Sequence, residues 1–175
     1  MWYVVWTRTG REEILKELCE KRLLSDCGIC EACFIPKAET ERRIAGKLVK
    51  QQKILFPGYL FFQSSQPEEL MKHLKKLPGF TKLLGSDNTP QPLYPHEEDW
   101  LKTMADSEMI IRMSRGYMVG DELIVTDGPL KDFKGKLAFI DRHKRVARLE
   151  VEFFGEKRLV WIGLEVTKIV SEDKV

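Results

Sequence analysis

Apolar positions set the rhythm of the chain. WYVVW at 2–6 is a run of aromatic and β-branched residues and predicts a strand. Ile14, Leu15, Leu18, Cys19 and Leu23 then recur at three- and four-residue steps, which predicts a helix with one apolar face. Ahead of it, Thr9-Gly10-Arg11-Glu12 reads as a capping box, with Thr9 accepting from the Glu12 amide and the Glu12 carboxylate reaching back. Cys33-Phe34-Ile35-Pro36 predicts a second strand that stops at proline. The polar stretch KAETERRIAGKLVKQQK, 37–53, reads as a solvated loop or hairpin. ILFPGYLFF, 54–62, is a dense apolar strand with a bulge or kink at Pro57-Gly58, and alternation should split 59–62 between two faces. Pro67 opens a helix carrying Leu70, Met71, Leu74 and Leu77, which Pro78-Gly79 ends. A short strand over 80–84 and a turn-rich stretch over 85–92 lead to a third helix at Pro95, whose acidic first turn suits the helix dipole.

The pattern changes after about residue 107. DELIVTDG, GKLAFIDRH, VARLEVEFFG, KRLVWIG and LEVTKIV are short apolar runs separated by turn residues. Such spacing predicts a small β-barrel. The chain is therefore expected to hold an α/β domain over 1–106, a linker over 107–118 and a β domain over 119–175.

With 43% hydrophobic and 32% charged residues, this is folded material rather than a disordered chain. A net charge of +2 excludes a polycation, so nucleic-acid affinity would have to come from local patches. Two stretches are basic. Over 37–53, six lysines and arginines stand against two glutamates. Over 131–148, Lys131, Lys134, Lys136, Arg142, Lys144, Arg145 and Arg148 stand against Asp132 and Asp141. The N-terminus meets charge too soon for a signal peptide, and no run reaches the ~18 apolar residues of a membrane span. A cytoplasmic protein with reduced thiols is expected. The four cysteines, Cys19, Cys27, Cys30 and Cys33, form a C-x-x-C-x-x-C cluster with one outlier. Cys19 lies on the predicted apolar helix face, and Cys33 opens a strand. No fourth cysteine followed by proline completes a ferredoxin-type set, and the three histidines sit in unrelated elements. Packing is the expected role, with no metal or other cofactor, although a Cys27–Cys30 loop pair could take up adventitious metal.

Gly120 to Lys136, GDELIVTDGPLKDFKGK, resembles a KOW motif: strand, tight Asp-Gly-Pro turn, then a glycine at the bend into the next strand. Trp2-Tyr3-Val4-Val5, Thr9-Gly10-Arg11-Glu12, Phe56-Pro57-Gly58-Tyr59-Leu60-Phe61, Leu77-Pro78-Gly79-Phe80 and Leu84-Gly85 resemble, in order and spacing, the N-terminal domain of the NusG family. The resemblance covers about 165 residues. It implies an α+β fold: an antiparallel sheet with helices, then a small SH3-like KOW barrel. It also implies a transcription elongation factor that is not an enzyme and has no catalytic residues.

Within the family, WYVVWTRTGREE and the basic KOW face resemble the LoaP group of specialised antiterminators. That resemblance implies binding of RNA polymerase clamp helices through Trp6, Phe56, Tyr59 and Phe61, though strand aromatics can equally be core. It implies contact of Arg8 and Arg11 with the displaced non-template DNA strand, or else two solvated surface arginines. It further implies that Lys131, Lys134, Lys136, Arg142, Lys144, Arg145 and Arg148 bind a structured nascent RNA, typically a hairpin; the alternative is a charged face that keeps the barrel soluble. A monomer is expected. General NusG proteins instead offer this domain to ribosomal protein S10 or to Rho, near the positions of Phe133 and Phe154-Gly155, and the following Glu-Lys-Arg-Leu-Val-Trp-Ile departs from their pattern. A ribosome-associated KOW protein is the remote alternative.

Overall fold

A computed structural model describes residues 1–25, 27–79, 82–83 and 90–170. In chain order the elements are β1 (Trp2–Trp6), α1 (Glu12–Cys19), β2 (Ala32–Phe34), β3 (Lys37–Ile44), β4 (Lys47–Ile54), β5 (Tyr59–Gln63), α2 (Pro67–Leu74) and β6 (Lys82–Leu83). Then follow α3 (Pro95–Met104), β7 (Ile110–Ile111), β8 (Ser114–Val119), β9 (Glu122–Asp127), β10 (Lys136–Asp141), β11 (Val146–Phe153) and β12 (Glu156–Val170). No helix among the described residues is long and apolar enough to cross a membrane. The expected positions Phe80, Leu84 and Gly85, and most of the turn-rich stretch, lie outside the described residues.

Contacts divide the chain into two compact units. One comprises Met1–Pro36 and Phe56–Glu98; the other comprises Lys37–Leu55 and Asp99–Val175. The basic stretch 37–53 thus belongs with the C-terminal strands, and residues 107–118, read as a linker, contain β7 and most of β8.

The first unit is built on a sheet of order β2-β5-β1-β6. Its inner strands are buried on both faces. Trp2 through Val5 in β1 and Leu60, Phe61 and Phe62 in β5 are all in the core. The expected alternation along 59–62 fails for that reason: a strand covered on both sides needs no polar face. The first helix buries Leu15 and Cys19, as its period predicts, and leaves Ile14 exposed. It continues as a π-helical segment, Glu20–Ser25, that buries Leu23. A π turn rotates less per residue than an α turn, which keeps Leu23 in line with Cys19.

The capping box forms only in part. Arg11, not Thr9, occupies the N-cap position, without a side-chain cap bond. The Glu12 carboxylate does reach back, accepting from the Gly10 N–H at 2.6 Å, and it also accepts from the Gly58 N–H at 2.7 Å. One buried carboxylate thereby joins the start of α1 to the Pro57-Gly58 turn.

The second unit holds a curled five-stranded sheet, order β10-β11-β12-β8-β9, and a three-stranded sheet, order β4-β3-β7. All pairs are antiparallel except β12 with β8 and β3 with β7. The stretch left open as loop or hairpin is a hairpin, paired from Lys37↔Ile54 to Ile44↔Lys47. Its two-residue turn, Ala45-Gly46, has positive φ at both positions, as the favoured twist of a tight hairpin requires. This hairpin packs closely on β12 because residue 163 is glycine. A Cβ there would stand 2.3 Å from the Glu39 carbonyl oxygen. Gly163→Ala is therefore expected to destabilise the protein by about 1–3 kcal/mol, the usual cost of overpacking, read as a lowered denaturant midpoint.

Candidate functional site

The proposed docking aromatics do not share one environment. Trp6, at the end of β1, is 45% exposed, and Tyr59 pairs with it across β5 and is half-buried. Phe56 and Phe61 are core residues at 3% and 0% exposure, so they support a surface rather than form it. Their rings lie 6.0 Å apart, and Phe61 stacks on Phe34, which meets Trp2 edge to face. The surface above is fixed by Gly58 at φ +87°, where a Cβ would meet the Thr7 carbonyl oxygen and Thr9 Oγ1 at 3.3 Å and the Trp6 indole nitrogen at 3.5 Å. Thr7 secures the same corner, donating from its N–H to the Gly58 carbonyl and from its hydroxyl to the Gly79 carbonyl. Arg8 and Arg11 are both exposed in the segment that leads into α1.

Cys19, Cys30 and Cys33 are buried, and Cys27 is exposed. The expected core positions of Cys19 and Cys33 are therefore observed, while Cys30 lies in the core rather than in an open loop pair with Cys27. Burial, with smaller contributions from neighbouring Cys19 and Glu31, pushes the Cys30 thiol up to about 12. Burial and a hydrogen bond with Cys19 raise Cys33 as well. Such thiols are poor nucleophiles at neutral pH. Among the described residues no group of three histidine, cysteine or acidic side chains is placed to hold a metal.

The basic residues of the second unit separate into three environments. Lys131, Lys134 and Lys136 are exposed on the segment leading into β10 and at its start. Arg142 and Lys144 are exposed on the β10–β11 turn, which the Lys144 N–H stabilises by donating to Asp141 Oδ1 at 2.9 Å. Arg145 is different. It has a φ of +55°, its side chain is only 20% exposed, and it is clamped between Glu41 and Glu165. Its Nε faces Glu41 Oε2 at 3.0 Å without hydrogen-bond alignment, so that contact is an ion pair. Arg145, unlike Arg142, is thus held within the structure with its charge already paired. Arg148 is half-buried, with its guanidinium 5.1 Å from the centroid of the Trp161 ring. Phe139, Arg148 and Trp161 lie in one cross-strand row, and Phe139 meets Trp161 edge to face.

The turn and the hairpin together line a groove of about 940 Å³. Six of its lining residues are cationic (Arg42, Arg43, Lys53, Arg142, Lys144 and Arg145) and two are acidic, Glu41 and Glu165. The two carboxylates are already engaged by Arg145, and Glu165 also accepts from Arg115 at 3.2 Å. The remaining cations leave the groove positive, the field a phosphate backbone would meet. Glu39, behind this wall, is held below the usual carboxylate range: burial pushes it up, but Lys50, the Met113 N–H and Arg112 outweigh that.

Sequence reasoning missed the hairpin cations and Trp161. The basic excess of 37–53 was the available signal for the former, but nothing local says that this segment meets the barrel. For Trp161 the signal was alternation with Val160 and Ile162, both buried.

Breaking the Arg145 clamp leaves Glu41 and Glu165 without their shared partner. Arg145→Ala should cost about 2 kcal/mol, between exposed and fully buried pairs, in a urea melt. Arg142→Ala, on the same turn but exposed, should shift the midpoint by less than about 0.5 kcal/mol.

The NusG family profile, described as "Transcription termination factor nusG", matches residues 1–102. The transcription termination/antitermination protein NusG of Rickettsia felis is 32% identical over 170 residues, covering 95% of this chain and 88% of that protein. The Thermus thermophilus protein of the same name is 31% identical over 182 residues, with 97% of each chain covered. Among solved structures, one described as "Domain interaction in Thermotoga maritima NusG" superposes with a TM-score of 0.56 at 25% identity, covering 93% of this chain and 92% of that one. The profile, the full-length alignments and the shared fold lead to one conclusion: this chain belongs to the NusG family of transcription factors.

Proposed function

We propose that the chain is a specialised elongation and antitermination factor of the LoaP type. Residues 1–106 dock on RNA polymerase, and the KOW domain, residues 119–175, binds a structured nascent RNA. The observation that carries this reading is the cationic groove beside the β10–β11 turn. Family membership supports polymerase as the other partner. Trp6 and Tyr59 are the docking side chains, because they are the two proposed aromatics with surface to offer. Arg8 and Arg11 face the non-template strand from a position ahead of α1. Lys131, Lys134 and Lys136 extend the RNA surface beyond the groove. The factor works by binding in the cytoplasm, with no bond made or broken. A folded RNA would be held through phosphates, 2′-hydroxyls and groove shape, so affinity must fall steeply with salt.

Titrating the full chain against a pool of RNA hairpins and a single-stranded control, at two salt concentrations, tests the RNA half. Hairpin-selective binding that weakens about tenfold in Arg142→Ala/Lys144→Ala is expected. Equal, weak binding to every RNA, with capture of ribosomal protein S10 or Rho, would overturn it in favour of a general NusG role. Polymerase retention on the immobilised chain tests the other half: Trp6→Ala should reduce it about tenfold. Undiminished retention would remove Trp6 from the docking surface.

A further inference from the structure

We infer that the β3–β4 hairpin is the second wall of the RNA site, with Arg42, Arg43 and Lys53 gripping the phosphate backbone opposite Arg142 and Lys144. The inference rests on the RNA reading above and deepens it: the ligand is held in a two-walled channel, not on the barrel alone.

Three observations carry it. First, all five cations line the same groove and all five are exposed. Second, the hairpin is held in place rather than free to swing. The close approach of Glu39 to Gly163, the Arg145–Glu41 pair, the Arg112–Glu39 pair and the short β7 pairing at Lys37 and Ala38 all fix it. A preformed wall loses little freedom when a ligand arrives. Third, the groove's carboxylates are occupied by Arg145 and Arg115, while no carboxylate among the described residues stands within ion-pair distance of Arg42, Arg43 or Lys53. Their charge is left for an outside anion. Two further features suit RNA rather than a simple polyanion. Trp161 lines the same groove at 44% exposure, a surface on which an unpaired base can stack. Leu48, 43% exposed, adds an apolar contact on the hairpin side. The ligand class is therefore a hairpin whose unpaired loop nucleotides enter the groove, since only splayed bases reach an aromatic side chain in this way.

The test compares four forms of the full chain: wild type, Arg42→Ala/Arg43→Ala/Lys53→Ala, Arg142→Ala/Lys144→Ala, and a control, Lys21→Ala/Arg22→Ala. The probes are RNA hairpins sharing one stem and carrying randomised loops, and the fully paired stem duplex, each titrated over a range of salt. The hairpin triple variant should lose about ten- to a hundredfold in affinity for looped RNA, and its log–log salt slope should flatten by about 2, because roughly three phosphate contacts disappear. The control should bind as wild type, and Arg42→Lys/Arg43→Lys should recover most of the slope. Thermal melts must match, so that loss of folding is not mistaken for loss of contact. If Arg142→Ala/Lys144→Ala weakens binding while the hairpin triple variant binds as wild type, the second wall is refuted and the RNA reading stands. If wild type does not bind looped RNA, or neither variant changes binding, both fall. Equal affinity for the paired stem alone would overturn the assignment of loop nucleotides to the groove.

Discussion

The close seating of β3 on β12 is the constraint on which the C-terminal unit depends. It needs a glycine at 163, because any side chain there would collide with the Glu39 carbonyl. Close seating then brings Glu41 beside Glu165, two carboxylates that would repel one another. Arg145 resolves the conflict by pairing with both. Its backbone adopts a left-handed conformation at the end of the β10–β11 turn, and its carbonyl accepts from the Leu164 N–H at 2.9 Å. The turn that ends in Arg145 also displays Arg142 and Lys144. Arg145 therefore helps to hold the hairpin, pairs with both of the groove's acids, and ends the turn that displays its exposed cations.

The N-terminal unit uses the same economy with opposite charge. Glu12 is 1% exposed and accepts backbone N–H bonds from Gly10 and Gly58. A buried carboxylate is tolerated only when hydrogen-bonded in this way. The bonds hold the α1 start and the Pro57-Gly58 turn together, and Trp6 lies across that turn. In the aromatic stack of the same unit Trp2, Phe61 and Phe56 are buried and Phe34 is half-buried. The proposed docking side chains and the core are consequently parts of one assembly: of the four aromatics that the resemblance names, Trp6 is exposed, Tyr59 is half-buried, and Phe56 and Phe61 are buried.

Much of this was legible in the sequence, and the failures have physical causes. The apolar face of α1, the Pro-Gly turn, the helix opened by Pro67 and most of the C-terminal strands follow from periodicity and turn chemistry, which are local, although KRLVWIG and LEVTKIV join into the single strand β12. The role of Phe61 was not legible, because a strand covered on both faces loses the alternation that marks inside from outside, and Phe56 lies in the bend between β4 and β5, where no alternation applies. Arg145 looked like its neighbours Arg142 and Lys144, since a charge count cannot show that Glu41, about a hundred residues earlier, comes to meet it. The contribution of 37–53 was hidden for the same reason: its basic excess was visible, but its place beside β12 is a long-range fact. Glu12 was half legible, its bond to the α1 start being local and its bond to Gly58 not.

A single-round transcription assay shows whether one chain links polymerase to a nascent RNA, as proposed. A template would carry an RNA hairpin selected for binding, followed by an intrinsic terminator. Increased readthrough is expected with the wild-type chain, lost with Trp6→Ala, lost with Arg142→Ala/Lys144→Ala, and absent when the hairpin is deleted. Readthrough that is indifferent to the hairpin and to both variants would contradict the proposal.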